Sequence, residues 1–502
     1  MDETPVGNEI PVGNEIPVSE QEGIRRDKLK ALQAEGLDPF LVNRFDQQMH
    51  SADVLARFDA LEGKRISIAG RMMTRRVMGK ASFAHLLDLK GSLQIYVRRD
   101  DIGEDAYARF KQMDIGDILG VSGTVFRTNA GEVSVHAESV TLLSKSLKVL
   151  PDKFHGLRDP DLRYRQRPVD LIVNPEVRDT FLKRGRIISE MRRYLDGLGF
   201  LEVETPVLNT VASGGHARPF VTHHNTLDLE MHLRIALELP LKRLIVGGLE
   251  RVYEIGRTFR NEGMDATHNP EFTMMELYQA YTDMSGMMEI AEGVISHCAM
   301  AVLGTTKVEF EGHAIDLTPP FARISMNEAV KKQTGVDFMA AESDEAARAL
   351  AKGISLELKD AAASRGEVLN KAFDAFVEDT LIQPTFITDY PIEISPLAKK
   401  KPGYPGITER FELFIAGYEN ANAFTELNDP IDQRERFVQQ ARLRAKGDDE
   451  AMVIDEDFCE SLEYGMPPTG GIGMGVDRLV MLLTGNPGIR DVLLFPTMKP
   501  RQ

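Results

Sequence analysis

The stretch that decides the fold begins at residue 250 and ends at residue 278. It reads Glu250-Arg-Val-Tyr-Glu-Ile-Gly-Arg-Thr-Phe-Arg-Asn-Glu-Gly263 and, four residues later, His268-Asn-Pro-Glu-Phe-Thr-Met-Met-Glu-Leu-Tyr278. Apolar and polar residues alternate on both sides of a polar centre, which predicts two antiparallel strands joined by a long loop.

A period of two gives the returning strand two different faces. One face carries an aromatic ring, a thioether, a carboxylate and a phenol, from Phe272, Met274, Glu276 and Tyr278. Such a face is not a dry core face. At the end of the outgoing strand, Arg260 can bind a phosphate or a carboxylate with two hydrogen bonds. An isolated arginine there is more often a solvated charge, but the neighbouring residues favour binding here.

A second polar stretch runs from residue 410 to residue 430. Asn422, Phe424 and Glu426 share a strand face, whereas Glu419 has the opposite parity to Glu412. If the last two act together, a bulge or turn must lie near residues 416–417, and Mg²⁺ with a nucleotide's phosphates would then suit the two carboxylates. The alternative is two solvated glutamates on an edge strand.

The chain closes with a glycine run, Gly470-Gly-Ile-Gly-Met-Gly-Val-Asp-Arg478. Its spacing is not that of a dinucleotide fingerprint, and no βαβ unit follows, so a Rossmann fold is excluded. The glycines instead allow backbone to lie close to a ligand or a neighbouring strand. Asp477 and Arg478 open a helix, which makes Arg478 a second guanidinium facing the same site.

Upstream, an apolar stripe predicts a helix over about residues 176–198, followed by a strand that Pro206 stops. This unit is either plain scaffold or a subunit contact. Residues 283–380 are mostly helical in pattern.

Between Lys64 and about Ser144 the apolar period is two, which predicts a small closed barrel of five short strands. The five runs start at Ile66, Leu93, Ile118, Val133 and Val140.

The predicted barrel begins with a basic segment. Residues 64–100 hold nine Lys or Arg against two Asp, a local charge of +7 in a chain whose net charge is −17. Phe83 and Tyr96 lie in this segment, and basic barrels with stacking rings bind single-stranded nucleic acid. The equal alternative is that both rings are barrel core.

Residues 5–16 repeat the hexapeptide Pro-Val-Gly-Asn-Glu-Ile, and the first 23 residues carry six acidic side chains without Lys or Arg. This composition predicts a disordered leader rather than a functional peptide arm. An amphipathic helical pattern follows from Arg25 to about Ala60.

The composition bounds what kind of protein this is. The 502 residues, 42% hydrophobic and 27% charged, predict two or three globular domains. We find neither an apolar run of the ~20 residues that cross a membrane nor a secretion signal, and so expect a cytoplasmic protein. Cys298 and Cys459 are the only cysteines, too few for a disulfide framework or a cysteine zinc site.

Three of these segments resemble the signatures of the class II aminoacyl-tRNA synthetases. The first resembles residues 176–206, the second runs from Phe259-Arg-Asn-Glu through Glu276-Leu-Tyr, and the third is similar to Gly473-Met-Gly-Val-Asp-Arg. All three stand in order with the family spacing, and the resemblance covers about residues 25–502.

Within this family the chain is most similar to the bacterial lysyl type. The matching segments are Arg71-Met-Met-Thr-Arg-Arg, Pro151-Asp-Lys-Phe-His-Gly-Leu, Ser213-Gly-Gly-His-Ala-Arg-Pro-Phe, Ser395-Pro-Leu-Ala-Lys, Thr425-Glu-Leu-Asn-Asp and Leu493-Leu-Phe-Pro. The chain departs from the family at Pro168-Val169 and at Leu237-Glu-Leu-Pro240-Leu, which leaves the strand geometry near Pro240 open.

The resemblance implies an α+β protein, with an N-terminal OB-fold barrel before a six- to seven-stranded antiparallel sheet flanked by helices. The implied divisions are a leader (1–23), a helical segment (24–63), the OB-fold anticodon-binding domain (64–148), a linker (149–175) and the catalytic domain (176–502) with a helical insertion at about 283–380.

The resemblance also implies an ATP-dependent lysine–tRNA ligase that acts as a homodimer, with Mg²⁺, lysine and tRNA(Lys) as partners and no membrane partner. The implied lysine-binding residues are Gly214, Glu238, Arg260, Glu276, Tyr278, Asn422, Phe424 and Glu426. The implied ATP-binding residues are Arg260, Glu262, His268, Asn269, Phe272, Glu412 and Arg478, with Arg260 and Arg478 catalytic and Glu412 and Glu419 holding the metal. The implied anticodon residues are Arg75, Arg76, Phe83, Gln94 and Glu132.

Other functions are weighed against this one. An aspartyl or asparaginyl relative would need a cationic residue where this chain offers Glu426 and Tyr278, so an acidic substrate is excluded. A paralogue that attaches lysine or β-lysine to a protein usually lacks the barrel. A non-catalytic RNA-binding or amino-acid-sensing module would show degenerate signatures, and none of the three is degenerate here.

Overall fold

The computed structural model describes residues 19–151, 157–211, 214–358, 360–448 and 450–501. The chain forms two compact units, Met1–Gly156 and Leu157–Gln502. Most of the predicted leader, and parts of the segments matched at Pro151–Leu157 and at Ser213, lie outside the described residues. The first helix begins at Glu20, where the Ser19 hydroxyl accepts from the Glu22 N–H, so residues 20–23 are helical rather than leader.

The first unit holds five helices in its described part. The predicted helical pattern over residues 25–60 is interrupted after Ala34, because Gly36 has a φ of 72° and Pro39 opens a short 3₁₀ turn. The helices are α1 (Glu20–Ala34), α2 (Ser51–Ala56), α3 (Phe58–Leu61), α4 (Arg99–Ile102) and α5 (Glu104–Gln112).

The five strands of this unit close into the predicted barrel, in the order β1-β2-β3-β5-β4. Its interior is filled by fully buried aliphatic side chains such as Ile95, Val121 and Val135. The strands are β1 (Arg65–Met78), β2 (Ala81–Asp88), β3 (Gly91–Arg98), β4 (Ile118–Arg127) and β5 (Val133–Ser144).

The barrel has five strands, as predicted, but two of the predicted strands form a single strand and one observed strand was not predicted. The runs at Val133 and Val140 both belong to β5, where Glu138 is an extra residue in the ladder with β4 and shifts the alternation. Strand β2 was missed because its inward residues include Ser82 and Ala84, which give a weak hydrophobic pattern.

The second unit contains twelve helices in its described part. The predicted helix over 176–198 is confirmed as α8. The helices are α6 (Pro160–Arg165), α7 (Arg167–Val173), α8 (Pro175–Gly197), α9 (Glu238–Val246), α10 (Met284–Leu303), α11 (Met326–Thr334), α12 (Asp344–Gly353), α13 (Arg365–Phe376), α14 (Pro430–Ala445), α15 (Glu456–Glu463), α16 (Val476–Thr484) and α17 (Ile489–Val492).

The strands of the second unit form one large sheet and three small ones. They are β6 (Leu201–Glu202), β7 (Leu208–Asn209), β8 (Val221–His224), β9 (Leu229–Leu233), β10 (Arg251–Phe259), β11 (Glu271–Ala280), β12 (Lys307–Phe310), β13 (His313–Asp316), β14 (Ala322–Ser325), β15 (Thr385–Thr388), β16 (Lys400–Lys401), β17 (Tyr404–Thr408), β18 (Arg410–Ile415), β19 (Tyr418–Thr425) and β20 (Thr469–Gly475). The region predicted as a helical insertion therefore also contains β12, β13 and β14.

The large sheet has eight strands, in the order β14-β15-β18-β19-β20-β11-β10-β6. Its six central strands are antiparallel, as expected, but each edge adds a parallel strand, β14 beside β15 and β6 beside β10. The sheet is therefore mixed, and larger than the six or seven strands that the resemblance implied. β10 and β11 pair antiparallel over their whole length, which confirms the prediction from residues 250–278.

One face of this sheet is covered by α8, α10 and α16. Met275 and Leu277 point into this core, where they meet Met191, Val294 and Val480. Helix α10 is, among the described residues, the one helix long and apolar enough to cross a membrane by length and composition. Half of its apolar window is buried inside the protein, including Met287, Val294 and Cys298 of this core.

The turn between β18 and β19 reverses the parity of the following residues. Ala416 and Gly417 form the turn with φ angles of 57° and 78°, and the register shifts so that Phe414 faces Glu419 while Leu413 faces Ala421. Asn420 is thus an extra residue. This is the break predicted to be necessary if Glu412 and Glu419 are to line one site.

Candidate active site

A cavity of about 710 Å³ opens on the sheet face opposite the α8–α10–α16 core. It is built on β11, β19 and β20, and the loop between β10 and β11, residues 260–270, also lines it. The cavity brings together every site residue that the sequence predicted in the second unit: Gly214, Glu238, Arg260, Glu262, His268, Asn269, Phe272, Glu276, Tyr278, Glu412, Glu419, Asn422, Phe424, Glu426 and Arg478.

Three carboxylates lie at the buried part of the cavity wall. Glu238, Glu276 and Glu426 are at most 9% exposed. Glu276 Oε1 accepts from the Leu237 N–H at 3.0 Å, and Glu276 Oε2 accepts from the Tyr278 hydroxyl at 3.1 Å. Burial, with the Glu238 charge, raises the pKa of Glu276 to about 7. A cation bound near Glu276 would favour the ionised carboxylate and so lower this pKa.

Glu426 directly follows β19 and is fully buried. No hydrogen-bond donor within the described ranges reaches its Oε1. Gly471 of β20 packs against this oxygen and against the Tyr278 ring, and a Cβ at residue 471 would overlap both. Residue 471 must therefore be glycine because Glu426 approaches the backbone so closely. The sequence predicted such a close approach for the glycine run, without naming the residue that makes it.

Lys242 was not singled out from the sequence, yet its ammonium pairs with both Glu238 and Glu426. Its side chain is fully buried. Fully buried lysines are rare, so a lysine in a sequence is normally predicted to lie on the protein surface. Its spacing of four from Glu238 was the available signal, since residues four apart share a helix face.

Glu238 and Lys242 lie on α9, in a segment for which the family resemblance implied a strand. The segment is helical, and Pro240 stands in its first turn, where the missing N–H has no intrahelical partner to lose. The departure at Pro240 is thus accommodated by the helix start. Gly214, with a φ of 88°, lies against Leu239 and the Glu238 Cβ, which leaves little room for a side chain.

Arg260 and Phe272 form the next part of the wall. The Arg260 guanidinium lies 5.2 Å from the centre of the Phe272 ring, a cation–π contact that orients both groups. Asn269 is buried beside them, and its amide donates to the Glu271 carbonyl at 2.6 Å. Its Oδ1 has no donor in the described structure. A flat ring next to a guanidinium and an unsatisfied acceptor suits a nucleobase joined to phosphates.

Glu412 is held by two residues that the sequence did not assign to the site. Arg410 Nη2 binds its Oε1 at 2.5 Å, and the Tyr390 hydroxyl donates to its Oε2 at 2.8 Å. Burial raises the pKa of Glu412 to about 7; Arg410 opposes the rise and Glu419 adds to it. Arg410 could have been found from the quoted 410–430 stretch, because it shares the parity of Glu412.

Glu419 and Arg478 meet at the opposite wall. Arg478 donates to the Glu419 carbonyl and lies 3.6 Å from its carboxylate, and it is 3.5 Å from the His268 ring. Asp477, the preceding residue, is buried and ties α16 in place through Arg184 at 2.6 Å and the Thr273 N–H at 2.7 Å. Helix α16 therefore presents Arg478 to the cavity from a fixed base.

The carboxylates of Glu412 and Glu419 can bind a divalent cation only together with further ligands. They repel each other, and both also line an adjoining cavity of about 310 Å³ with Asp374 and Glu378. Among the described residues, no cluster of three or more His, Cys, Asp or Glu could hold a metal alone. A divalent ion here would need further oxygen ligands, such as phosphates.

Comparison with known proteins agrees with this geometry. Residues 159–499 match the family of class II tRNA synthetases (D, K and N), and residues 66–143 match the OB-fold nucleic acid binding domain. Lysine–tRNA ligases of Enterococcus faecalis, Thermoanaerobacter sp. (strain X514) and Bacillus subtilis are 58%, 57% and 56% identical to the chain. These alignments cover 95–96% of this chain and 96–98% of each relative.

The chain belongs to the class II tRNA synthetases. As a member of this family, it is an aminoacyl-tRNA synthetase whose energy source is ATP. The predicted fold class is confirmed.

In this synthetase, the barrel carries a ring cluster on its outer surface. Phe83, Tyr96, Phe126 and His136 come from four neighbouring strands, with ring centres 4.9–6.0 Å apart. None belongs to the barrel core. The alternative that Phe83 and Tyr96 fill the barrel is therefore wrong.

The other predicted anticodon residues of the synthetase differ in their surroundings. Gln94 is 9% exposed and donates to Glu132 at 2.6 Å, beside the rings. Arg76 is exposed. Arg75 instead donates to the carbonyls of Phe110 and Met113, at the end of α5. This contact gives Arg75 a structural role in the barrel, which the sequence did not predict.

Proposed function

We propose that the chain is a lysine–tRNA ligase, which joins L-lysine to the 3′ end of tRNA(Lys) through a lysyl-adenylate. The observation that carries this proposal is the set of three buried carboxylates, Glu238, Glu276 and Glu426, in the wall of the cavity. A substrate with two ammonium groups matches that charge. The names of the relatives, all lysine–tRNA ligases, support the same substrate.

In this proposal the two ends of lysine bind different residues. Glu426 Oε1 and the Tyr278 hydroxyl receive the ε-ammonium, with the Phe424 ring beside the methylene chain. Glu238 and the Gly214 backbone receive the α-ammonium. Arg260 and Asn422 bind the carboxylate, and Glu276 holds Leu237 and Tyr278 in position.

The first step needs no general base, since the carboxylate of lysine is ionised at neutral pH. One of its oxygens attacks the α-phosphorus of ATP, the bond to the bridging oxygen breaks, and pyrophosphate leaves. Arg260 neutralises the α-phosphate and Arg478 the γ-phosphate, while Phe272 stacks on adenine. Glu262, His268 and Asn269 contact the nucleotide. Catalysis is thus positioning and charge neutralisation.

Glu412 and Glu419 would hold Mg²⁺ together with the phosphates of ATP. When bound, this ion neutralises charge on the leaving pyrophosphate. Arg410 and Tyr390 fix the Glu412 carboxylate beforehand.

In the second step the hydroxyl at the 3′ end of tRNA attacks the lysyl carbonyl carbon, and AMP leaves. The barrel binds the anticodon through Phe83, Gln94 and Glu132, and Arg76 contacts the phosphate backbone. Phe126 and His136 extend the same ring cluster. Stacking on such rings holds unpaired bases.

We also infer a homodimer formed through residues 176–206. Leu182, Leu198 and Leu201 lie in this region and are 49%, 37% and 51% exposed. An interface between two copies of the chain would cover these exposed side chains. Sedimentation of the whole protein tests this state. The proposed location is the cytoplasm, where tRNA is charged.

The function is tested by pyrophosphate exchange with each of the twenty amino acids in turn. We expect exchange with lysine alone, and its collapse in Arg260→Ala. Exchange that is independent of lysine would refute the proposal. Charging of unmodified tRNA then distinguishes a tRNA ligase from an enzyme that attaches lysine to a protein.

A further inference from the structure

Lys242 lies behind the cavity rather than in it. Glu238 and Glu426 line the cavity, whereas Lys242 is absent from its wall and has no exposed side-chain surface. Its ammonium contacts Oε1 of Glu238 and Oε2 of Glu426. One oxygen of each carboxylate is therefore held from behind, and the second oxygen of each remains for a ligand.

The rings around Lys242 close the other directions. The centres of the Phe424, Tyr278 and Phe458 rings lie 5.2, 5.9 and 5.9 Å from its Nζ. Ring faces attract an ammonium without accepting its protons in a conventional hydrogen bond. The three rings and the two carboxylates hold this cation in place.

The charges of the residues proposed to bind lysine, together with Lys242, balance the charge of lysine. Glu238, Glu276 and Glu426 bring three negative charges when ionised, and Lys242 and Arg260 bring two positive charges. The sum is −1, and free lysine carries a net charge of +1 at neutral pH. Without Lys242 the sum would be −2, and a buried carboxyl would take up a proton instead.

We propose that Lys242 is a positioning residue for lysine specificity, whose ammonium holds one oxygen of each of the Glu238 and Glu426 carboxylates and aims their second oxygens at the two ends of the substrate. The inference rests on the proposed function, because it takes lysine as the ligand. Lys242 itself does not touch the substrate.

The titratable groups around Lys242 support this role. The Glu238 and Glu426 carboxylates raise the pKa of the Lys242 ammonium against the effect of burial, so it stays charged. Burial raises the pKa of Glu426, and Lys242 opposes that rise. From β11, Tyr278 and Glu276 face the same carboxylates, while α15 contributes the Phe458 ring.

Calorimetric titration of the full-length protein with lysine tests this role, in Lys242→Met and in wild type. We expect lysine affinity to fall by at least about 100-fold, the usual effect of unpairing a buried charge, with the KM for ATP unchanged. At pH 8, buffers of different ionisation enthalpy should show about one more proton released per lysine bound than in wild type, because Glu426 starts protonated. Lys331→Met, on the exposed side of α11, is the matched control and should behave like wild type.

The outcomes separate the two hypotheses. If wild type does not bind lysine, the proposed function fails. If it does, but Lys242→Met binds lysine equally or more tightly, or releases no extra proton, then Lys242 is ordinary packing or a competitor for the pocket and the inference is overturned. Should Lys242→Met not fold, Lys242→Arg decides: it keeps the cation and is expected to retain lysine binding with the wild-type proton count, and loss of both in a folded Lys242→Arg would refute the role.

Discussion

Glu426 is the most demanding single side chain in the site, since it is wholly buried and only one of its two oxygens is paired. In Glu426→Gln the charge is lost while the shape stays, so the KM for lysine should rise about 10- to 150-fold, as expected for a charged hydrogen bond worth ~1.5–3 kcal/mol. The KM for ATP should barely change. Steady-state exchange assays measure both, with the exposed Glu435→Gln as control; equal effects on the two substrates would refute the ammonium contact.

Glu276 gives lysine binding a pH dependence. A pKa of about 7 means that Glu276 is mostly protonated at pH 6, whereas a bound cation favours the ionised form. Lysine should therefore bind more tightly as the pH rises from 6 to 8, by up to about tenfold per unit below pH 7. Titration calorimetry across this range checks it, and a flat profile would contradict it.

The raised pKa of Glu276 makes the folded state less stable as the pH rises, whereas lysine binding becomes tighter. The folded state holds the Glu276 proton more tightly than an unfolded chain, where the carboxyl has its ordinary pKa of 4.5. The stability that this proton contributes is complete below pH 4.5 and is lost as the pH rises through 7. Saturating lysine should reduce this loss, because it supplies the missing positive charge.

The backbone of strand β20 shapes the pocket as much as the charged side chains around it do. In Gly471→Ala the new methyl group would overlap the Glu426 carboxylate and the Tyr278 ring, so one of them must move. We expect lysine-dependent exchange to fall by at least about tenfold, the effect of ~1.4 kcal/mol, while the protein stays folded. Activity and melting temperature are measured together, and Gly353→Ala, where a Cβ meets nothing within 4 Å, is the control. Full activity in the Gly471 variant would show that the pocket is looser than described.

The sequence predicted those elements whose residues alternate regularly. Phe272, Glu276 and Tyr278 line the cavity as their parity required, and the break near Ala416–Gly417 was inferred from the parity of Glu419. It failed where an irregularity or a rare environment intervened. The extra Glu138 made one strand look like two, and the buried Lys242 looks in sequence like any surface lysine of a helix.

Across the whole molecule, the two reactions should respond differently to salt. The basic segment 64–100 and the ring cluster lie in the first unit, whereas the cavity lies wholly in the second. Phosphate contacts release counterions, so tRNA charging should weaken steeply with salt. Pyrophosphate exchange, which needs no tRNA, should change far less between about 50 and 200 mM salt. Parallel salt series of the two assays check this, and identical slopes would argue against a basic tRNA-binding barrel.

The order of strands in the large sheet has a consequence for how the protein is made. β20 is inserted between β11 and β19, yet it is synthesised after both, close to the end of the chain. On the ribosome, β11 and β19 must therefore wait with unpaired edges, and such edges pair readily with other chains. Chains truncated before residue 469 are therefore expected to keep both edges unpaired and to aggregate.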